Sequence, residues 1–237
     1  MNNDIRVLIF ILLVSFSGLS PAFAQQSNKG WFHIPGFTAE IPITLTNERT
    51  FWGVMGAATL SYALAEFVFK DNETLNFYQL RTGMANEHNW GLKNVWHQSF
   101  GLEKRVAPWF AFAAELNLQE WNDNSPELAP EKRFGIGVGI MTYYRWYLLG
   151  RKKVSPFLEY GTGLFQGFEK FPHNGTRFTF NHATRLGVEL TFKNNDRFRL
   201  GYGQLHQSNN GLERANPGFD ANGFSLSYSW FWTSSKW

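Results

Sequence analysis

From Thr74 almost to the C-terminus, apolar and polar side chains alternate with a period close to two, in eight stretches broken by turn residues: 74–85, 92–104, 107–121, 133–149, 154–168, 177–192, 196–208 and 222–232. Successive side chains of a strand point to opposite faces. Eight such stretches in a row therefore predict an all-β chain with one apolar and one polar surface. The pattern is plainest in 133–149, where Phe134, Ile136, Val138, Ile140, Tyr144, Trp146 and Leu148 alternate with Gly135, Gly137, Gly139, Met141, Tyr143, Arg145 and Tyr147. In 177–192, Phe178, Phe180, Leu186, Val188, Leu190 and Phe192 oppose Thr179, Asn181, Arg185, Gly187 and Glu189.

A soluble sandwich or lipocalin turns its apolar face inward, and a membrane barrel turns it outward. Three features favour the inverted arrangement. Aromatic residues gather near the ends of the apolar faces, as interfacial girdles do; Trp, Tyr and Phe make up 18% of the chain, against 17% charged residues. The polar face collects both signs, with Arg81, Glu115, Arg145, Glu159, Arg185, Glu189 and Arg199. The third is a route out of the cytoplasm: Arg6, the apolar run Val7 to Val14 and the small-residue site Ala22-Phe23-Ala24 before Gln25 read as a secretory signal peptide. The expected organisation is a signal peptide at 1–24, an N-terminal periplasmic extension at 25–73, and an eight-stranded antiparallel transmembrane β-barrel at 74–237.

Within the extension, the uncharged, Ala- and Gly-rich run from Phe51 to Ala65 fits an interfacial helix, a plug at one barrel mouth, or a weak strand; a helix suits it best. Cysteine is absent, so there is neither a disulfide framework nor a thiolate metal site. No His or carboxylate pair has metal-ligand spacing, and no Gly-rich phosphate loop opens a helix, so neither metal nor cofactor is expected. The net charge of +3 is small, and Lys and Arg are dispersed. That argues against a nucleic-acid partner and leans faintly towards anionic lipid.

Connection lengths alternate. The links at 104–106, 150–153 and 193–195 are short, and those at 122–132, 169–176 and 209–221 are longer. In outer-membrane barrels short turns are periplasmic and long loops external. The seventh stretch then ends at the external rim.

Its ending is unusual. His206 and Ser208 lie on the same face as Phe198, Leu200 and Tyr202, the apolar face, where polar groups have no water and need a reason. At i and i+2 the imidazole is near enough to act as base for the hydroxyl, and Asp220, in the loop that returns to the last strand, can orient the ring. Glu213 is a competing acid. Spacing alone also allows all four to be ordinary rim residues. His182, on the apolar face of the sixth stretch, and His97, on the polar face of the second, read as structural or rim residues.

The run His206-Gln207-Ser208-Asn209-Asn210-Gly211-Leu212, continued by Asn216-Pro217-Gly218-Phe219-Asp220 and the final aromatic strand, resembles the active-site segment of the lipid A 3-O-deacylase (PagL) family of outer-membrane acyloxyacyl hydrolases. The resemblance implies a serine esterase that removes an ester-linked acyl chain from lipid A of lipopolysaccharide in the outer leaflet. Ser208 would be the nucleophile, His206 the general base and Asp220 the orienting acid. Best-known members of the family carry Glu at the acid position, so the shorter Asp220 must approach more closely. Oxyanion or substrate-binding donors would come from Asn209, Asn210, Gly211 and Asn216, while Gly211 and Gly218 also suit plain turn positions. Two other readings remain at this stage: a non-enzymatic small barrel, and an outer-membrane phospholipase using the same chemistry. Whether the barrel pairs as a homodimer is left open.

Overall fold

The computed structural model describes residues 48–68, 73–87, 92–209, 212 and 218–235. The expected signal peptide and most of the N-terminal extension lie outside the described residues. A helix, α1 (Glu48–Ala63), continues through a wider helical turn at Leu64–Val68. Eight strands follow: β1 (Thr74–Glu87), β2 (Lys93–Ala107), β3 (Phe110–Asp123), β4 (Phe134–Tyr147), β5 (Val154–Phe171), β6 (Thr176–Thr191), β7 (Arg197–Ser208) and β8 (Phe219–Ser235). Each strand pairs antiparallel with its chain neighbour, and β8 pairs with β1, so the sheet closes and keeps no free edge.

The side-chain parity is the inverted one. Leu80, Phe100, Leu116, Ile140, Leu164, Leu186, Leu200 and Phe224 face outward and are exposed, whereas Arg81, Glu103, Arg145, Glu159, Glu189 and Arg199 are buried in the lumen. An apolar exterior around a charged, paired interior is the arrangement of a membrane-spanning barrel.

Buried side chains line the lumen, and its two halves differ. Towards the short turns it is an ion-pair lattice. Glu159 accepts from Arg81 Nη1 and Nη2 at 2.5 and 2.9 Å, from Arg145 Nε at 3.0 Å and from Arg185 Nη1 at 3.0 Å. Glu103 accepts from Arg145 and Arg199, each at 2.7 Å. Glu189 accepts from Arg105 at 2.8 Å, and from Tyr147 and Arg199 at 2.7 Å each. The lattice expected from the alternation is thus present, enlarged by Glu103, Arg105 and Arg197.

Towards the long loops the lumen holds an aromatic cluster, which the alternation does not foretell, beside the buried amides Gln119, Asn181 and Gln207. Trp121 stacks on Phe171 at 5.0 Å between ring centres and meets Phe165 edge-on at 4.9 Å. Phe171 in turn meets Phe219 edge-on at 5.0 Å. Such aromatic pairs contribute about 0.5–1.5 kcal/mol each beyond their burial. Glycine makes room for inward rings: a Cβ on Gly161 would stand 2.4 Å from the Tyr143 ring.

The run read as a helix is one, and it does not plug the barrel. It lies against the outside of β3–β5 at the short-turn end. Its small residues Ala58, Ser61 and Ala65 are buried there among Phe110, Trp146 and Tyr160. Trp146 Nε1 donates to Ser61 Oγ at 2.9 Å, and Tyr62 meets Phe112 at 6.1 Å. The opposite side of the helix exposes Trp52, Leu60 and Phe67.

Candidate active site

β7 and β8 carry the three residues of interest at the long-loop end. Their register sets His206 directly opposite Asp220, and β6 sets His182 opposite His206 on the other side. His206 Nδ1 lies 2.8 Å from Asp220 Oδ1, with side chains 17% and 25% exposed. A ring nitrogen that donates to a carboxylate must carry its hydrogen there, so Nε2 is left as the basic nitrogen. This assigns the tautomer from the contact.

Alternation holds these groups outward by anchoring their neighbours inward. Gln207, between His206 and Ser208, is 3% exposed and donates from Nε2 to Gln119 Oε1 on β3 at 2.5 Å. Phe219, next to Asp220, is inserted in the aromatic cluster of the lumen. A slip of one residue in either strand would exchange the two sets.

Asp220 differs from its sequence reading. It belongs to β8, which begins at Phe219, and the return loop is shorter than 209–221. Pairing along the strand carries the carboxylate to the imidazole, and the short Asp side chain reaches it. Gly218, just before the strand, has φ of +66°, where only glycine sits without strain. It suits the turn position that its sequence context indicates.

Ser208 is half-buried on the same outward side, opposite Phe180 of β6. Among the described residues no hydrogen bond joins its hydroxyl to the imidazole. Asn209 is buried at 1% exposure, and its carbonyl accepts from Leu212 N–H at 3.1 Å. Asn210, Gly211, Glu213 and Asn216 lie outside the described residues.

Sequence reasoning passed over a neighbouring pair. His182 Nδ1 lies 3.1 Å from the hydroxyl of Tyr160, and the His182 and His206 rings stack at 6.4 Å. The signal was available: His182 interrupts the apolar face of β6 between Phe180 and Leu186. No group of three or more potential metal ligands occurs among the described residues.

A family model described as lipid A 3-O-deacylase (PagL) matches residues 86–229, a span that takes in His206, Ser208 and Asp220. The chain belongs to this family. Among solved structures it is similar to the outer membrane enzyme PagL, with 13% identity, 63% of this chain and 97% of that chain covered, and a TM-score of 0.47. It is also similar to Neisserial surface protein A (NspA), with 11% identity, 68% and 99% covered, and a TM-score of 0.46. No curated protein matches. A closed eight-stranded barrel with an apolar exterior, in the PagL family, belongs in the outer membrane of a Gram-negative bacterium.

Proposed function

We propose that the protein hydrolyses the ester linking an acyl chain to lipid A, with Ser208 as nucleophile, His206 as general base and then acid, and Asp220 as the orienting carboxylate. The observation that carries this reading is the 2.8 Å contact from His206 Nδ1 to Asp220 Oδ1 on the lipid-facing side of the barrel, two residues before Ser208. A carboxylate and an imidazole on a hydrocarbon-facing surface cost free energy that a purely structural barrel has no reason to spend.

The chemistry follows from the roles. An acyl chain packs against the outer apolar face near Leu200 and Tyr202. His206 Nε2 takes the Ser208 proton as Oγ attacks the ester carbonyl. The tetrahedral intermediate collapses with cleavage of the bond to the sugar oxygen, which leaves with the proton from His206. Water, deprotonated by the same nitrogen, then attacks the acyl-serine, releases the fatty acid and restores Ser208. Asp220 stabilises the imidazolium in both halves without being protonated. Oxyanion donors are assigned to Asn209 and the loop after it, including Asn210, Gly211 and Asn216. With long loops external, the site faces the outer leaflet, where lipopolysaccharide resides.

A fluorophosphonate probe should label the purified protein at Ser208, and mass spectrometry of lipids from expressing cells should show lipid A short of one acyl chain with phospholipid intact. No labelling would leave a non-enzymatic barrel; loss of acyl chains from phospholipid alone would make it a phospholipase. Asp220→Asn removes the charge that holds the ring and steadies its protonated form. It should lower kcat for lipid A by about two to four orders of magnitude, measured as fatty acid release, with the barrel still folded.

A further inference from the structure

The polar surface around His206 does not stop at the three residues already assigned. Across the strands the registered outward partners run Asp220 on β8, His206 on β7, His182 on β6, Thr162 on β5 and Thr142 on β4. All five are outward and half-buried. Thr142 Oγ1 donates to the Thr162 carbonyl at 3.1 Å, so the far end of the row is itself a hydrogen-bonded unit.

This row crosses an apolar surface. Leu164 and Ile140, exposed at 50% and 57%, border it on the long-loop side; on the other side come Tyr144, Tyr160, Thr184 and Gln204, with Leu186, exposed at 52%, one outward position beyond Thr184. It also changes depth. His206 is two residues from the end of β7, while Thr142 is eight residues from the start of β4. Strands of membrane barrels tilt by about 35–45°, so a row perpendicular to them slopes from the rim into the hydrocarbon belt. Polar side chains at that depth need partners.

A second observation points to a ligand. Gln204 sits one outward position below His206, between Thr184 and Asn222. It is only 5% exposed, and its Oε1 accepts no hydrogen bond from any described residue. A buried amide oxygen of this kind calls for an O–H or N–H donor. On the far side of Thr184, the Tyr160 hydroxyl, on a residue 2% exposed under α1, finds the ring of His182.

We propose that the row from His206 through His182, Thr162 and Thr142, with Gln204 below it, is a binding track for the amide and hydroxyl groups of an acylated amino sugar lipid. This rests on the lipid A reading of the same site. The track offers the Thr162 hydroxyl and the His182 ring together with an acceptor that needs a donor. In the layer just below its headgroup, a diacyl glycerophospholipid brings ester acceptors only and leaves Gln204 Oε1 unsatisfied. An acylated amino sugar brings amide N–H and hydroxyl donors as well. A site that leaves a buried polar group unpaired rejects the ligand that lacks the matching group. The track therefore selects lipid A over phospholipid, separately from the nucleophile.

The test separates binding from turnover. In a Ser208→Ala background, which cannot turn over, lipid A binding is measured in detergent micelles against phosphatidylethanolamine for the parent, Thr162→Val, His182→Phe and Gln204→Leu. Each of the three should weaken lipid A binding by about tenfold, the loss of one hydrogen bond, and leave phosphatidylethanolamine binding within about twofold. In the active enzyme, Thr162→Val should raise KM for lipid A with kcat within about threefold, and His182→Gln, which restores a donor, should recover most of what His182→Phe loses. The heat-modifiable gel mobility of each variant reports folding, and the isosteric Thr162→Val carries the test if His182→Phe does not fold. Unchanged lipid A binding in folded Thr162→Val and Gln204→Leu would overturn the track. Lipid A binding that depends on the track, in a wild-type protein that releases no fatty acid, would overturn the hydrolase reading and leave the track standing.

Discussion

Ser208→Ala and His206→Asn are each expected to lower lipid A deacylation by about four to six orders of magnitude, because nucleophile and base act as one unit and the loss of either removes nearly all the acceleration. For the same reason the double variant should be no slower than either single one. Fatty acid release followed by mass spectrometry reads the rate. Folding should be unaffected: both side chains face outward, and the neighbours that anchor the strand, Leu205 and Gln207, stay in the lumen. A Ser208→Ala protein that still released fatty acid at the wild-type rate would eliminate this residue as nucleophile.

Glu159→Ala should produce the largest loss of stability. Its carboxylate lies between Arg81, Arg145 and Arg185 in the middle of the lumen, all of them buried. Removing it leaves three guanidinium groups without their shared acceptor, away from both water and lipid headgroups. Breaking a buried ion pair by deleting one partner costs roughly 3–5 kcal/mol. The midpoint of urea unfolding in detergent, followed by the heat-modifiable shift on gels, should fall accordingly. Glu87→Gln supplies the contrast. Its 2.8 Å pair with Lys93 has side chains 31% and 23% exposed, so the change should stay within about 1 kcal/mol. Equal effects of the two substitutions would show that the lumen charges do not hold the barrel together.

The strands and their facing were legible because lipid favours apolar side chains at every second position of the outer surface, a period that runs through all eight stretches. The charged half of the lumen followed from the same rule. What escaped was whatever tertiary packing adds at the long-loop end. Leu205, Ala183 and Met141 occupy inward positions, where the alternation promised polar groups, because the lumen there is filled by rings. The connection at 169–176 read as a long loop, yet Phe171 extends β5 by stacking on Trp121. Asp220 read as part of the connection at 209–221; insertion of Phe219 into the same aromatic cluster draws the segment into β8. His206 and Ser208 stood out because they break the apolar face. His182 breaks it too, and its part became visible only when register brought it beside His206.

The docking of α1 on the outside of three strands has a consequence for assembly. Its partners Phe110, Trp146 and Tyr160 come from three different strands, β3, β4 and β5. The helix precedes these strands in the chain, yet it can settle only after they have zipped together, sealing the outer wall once the cylinder beneath it exists.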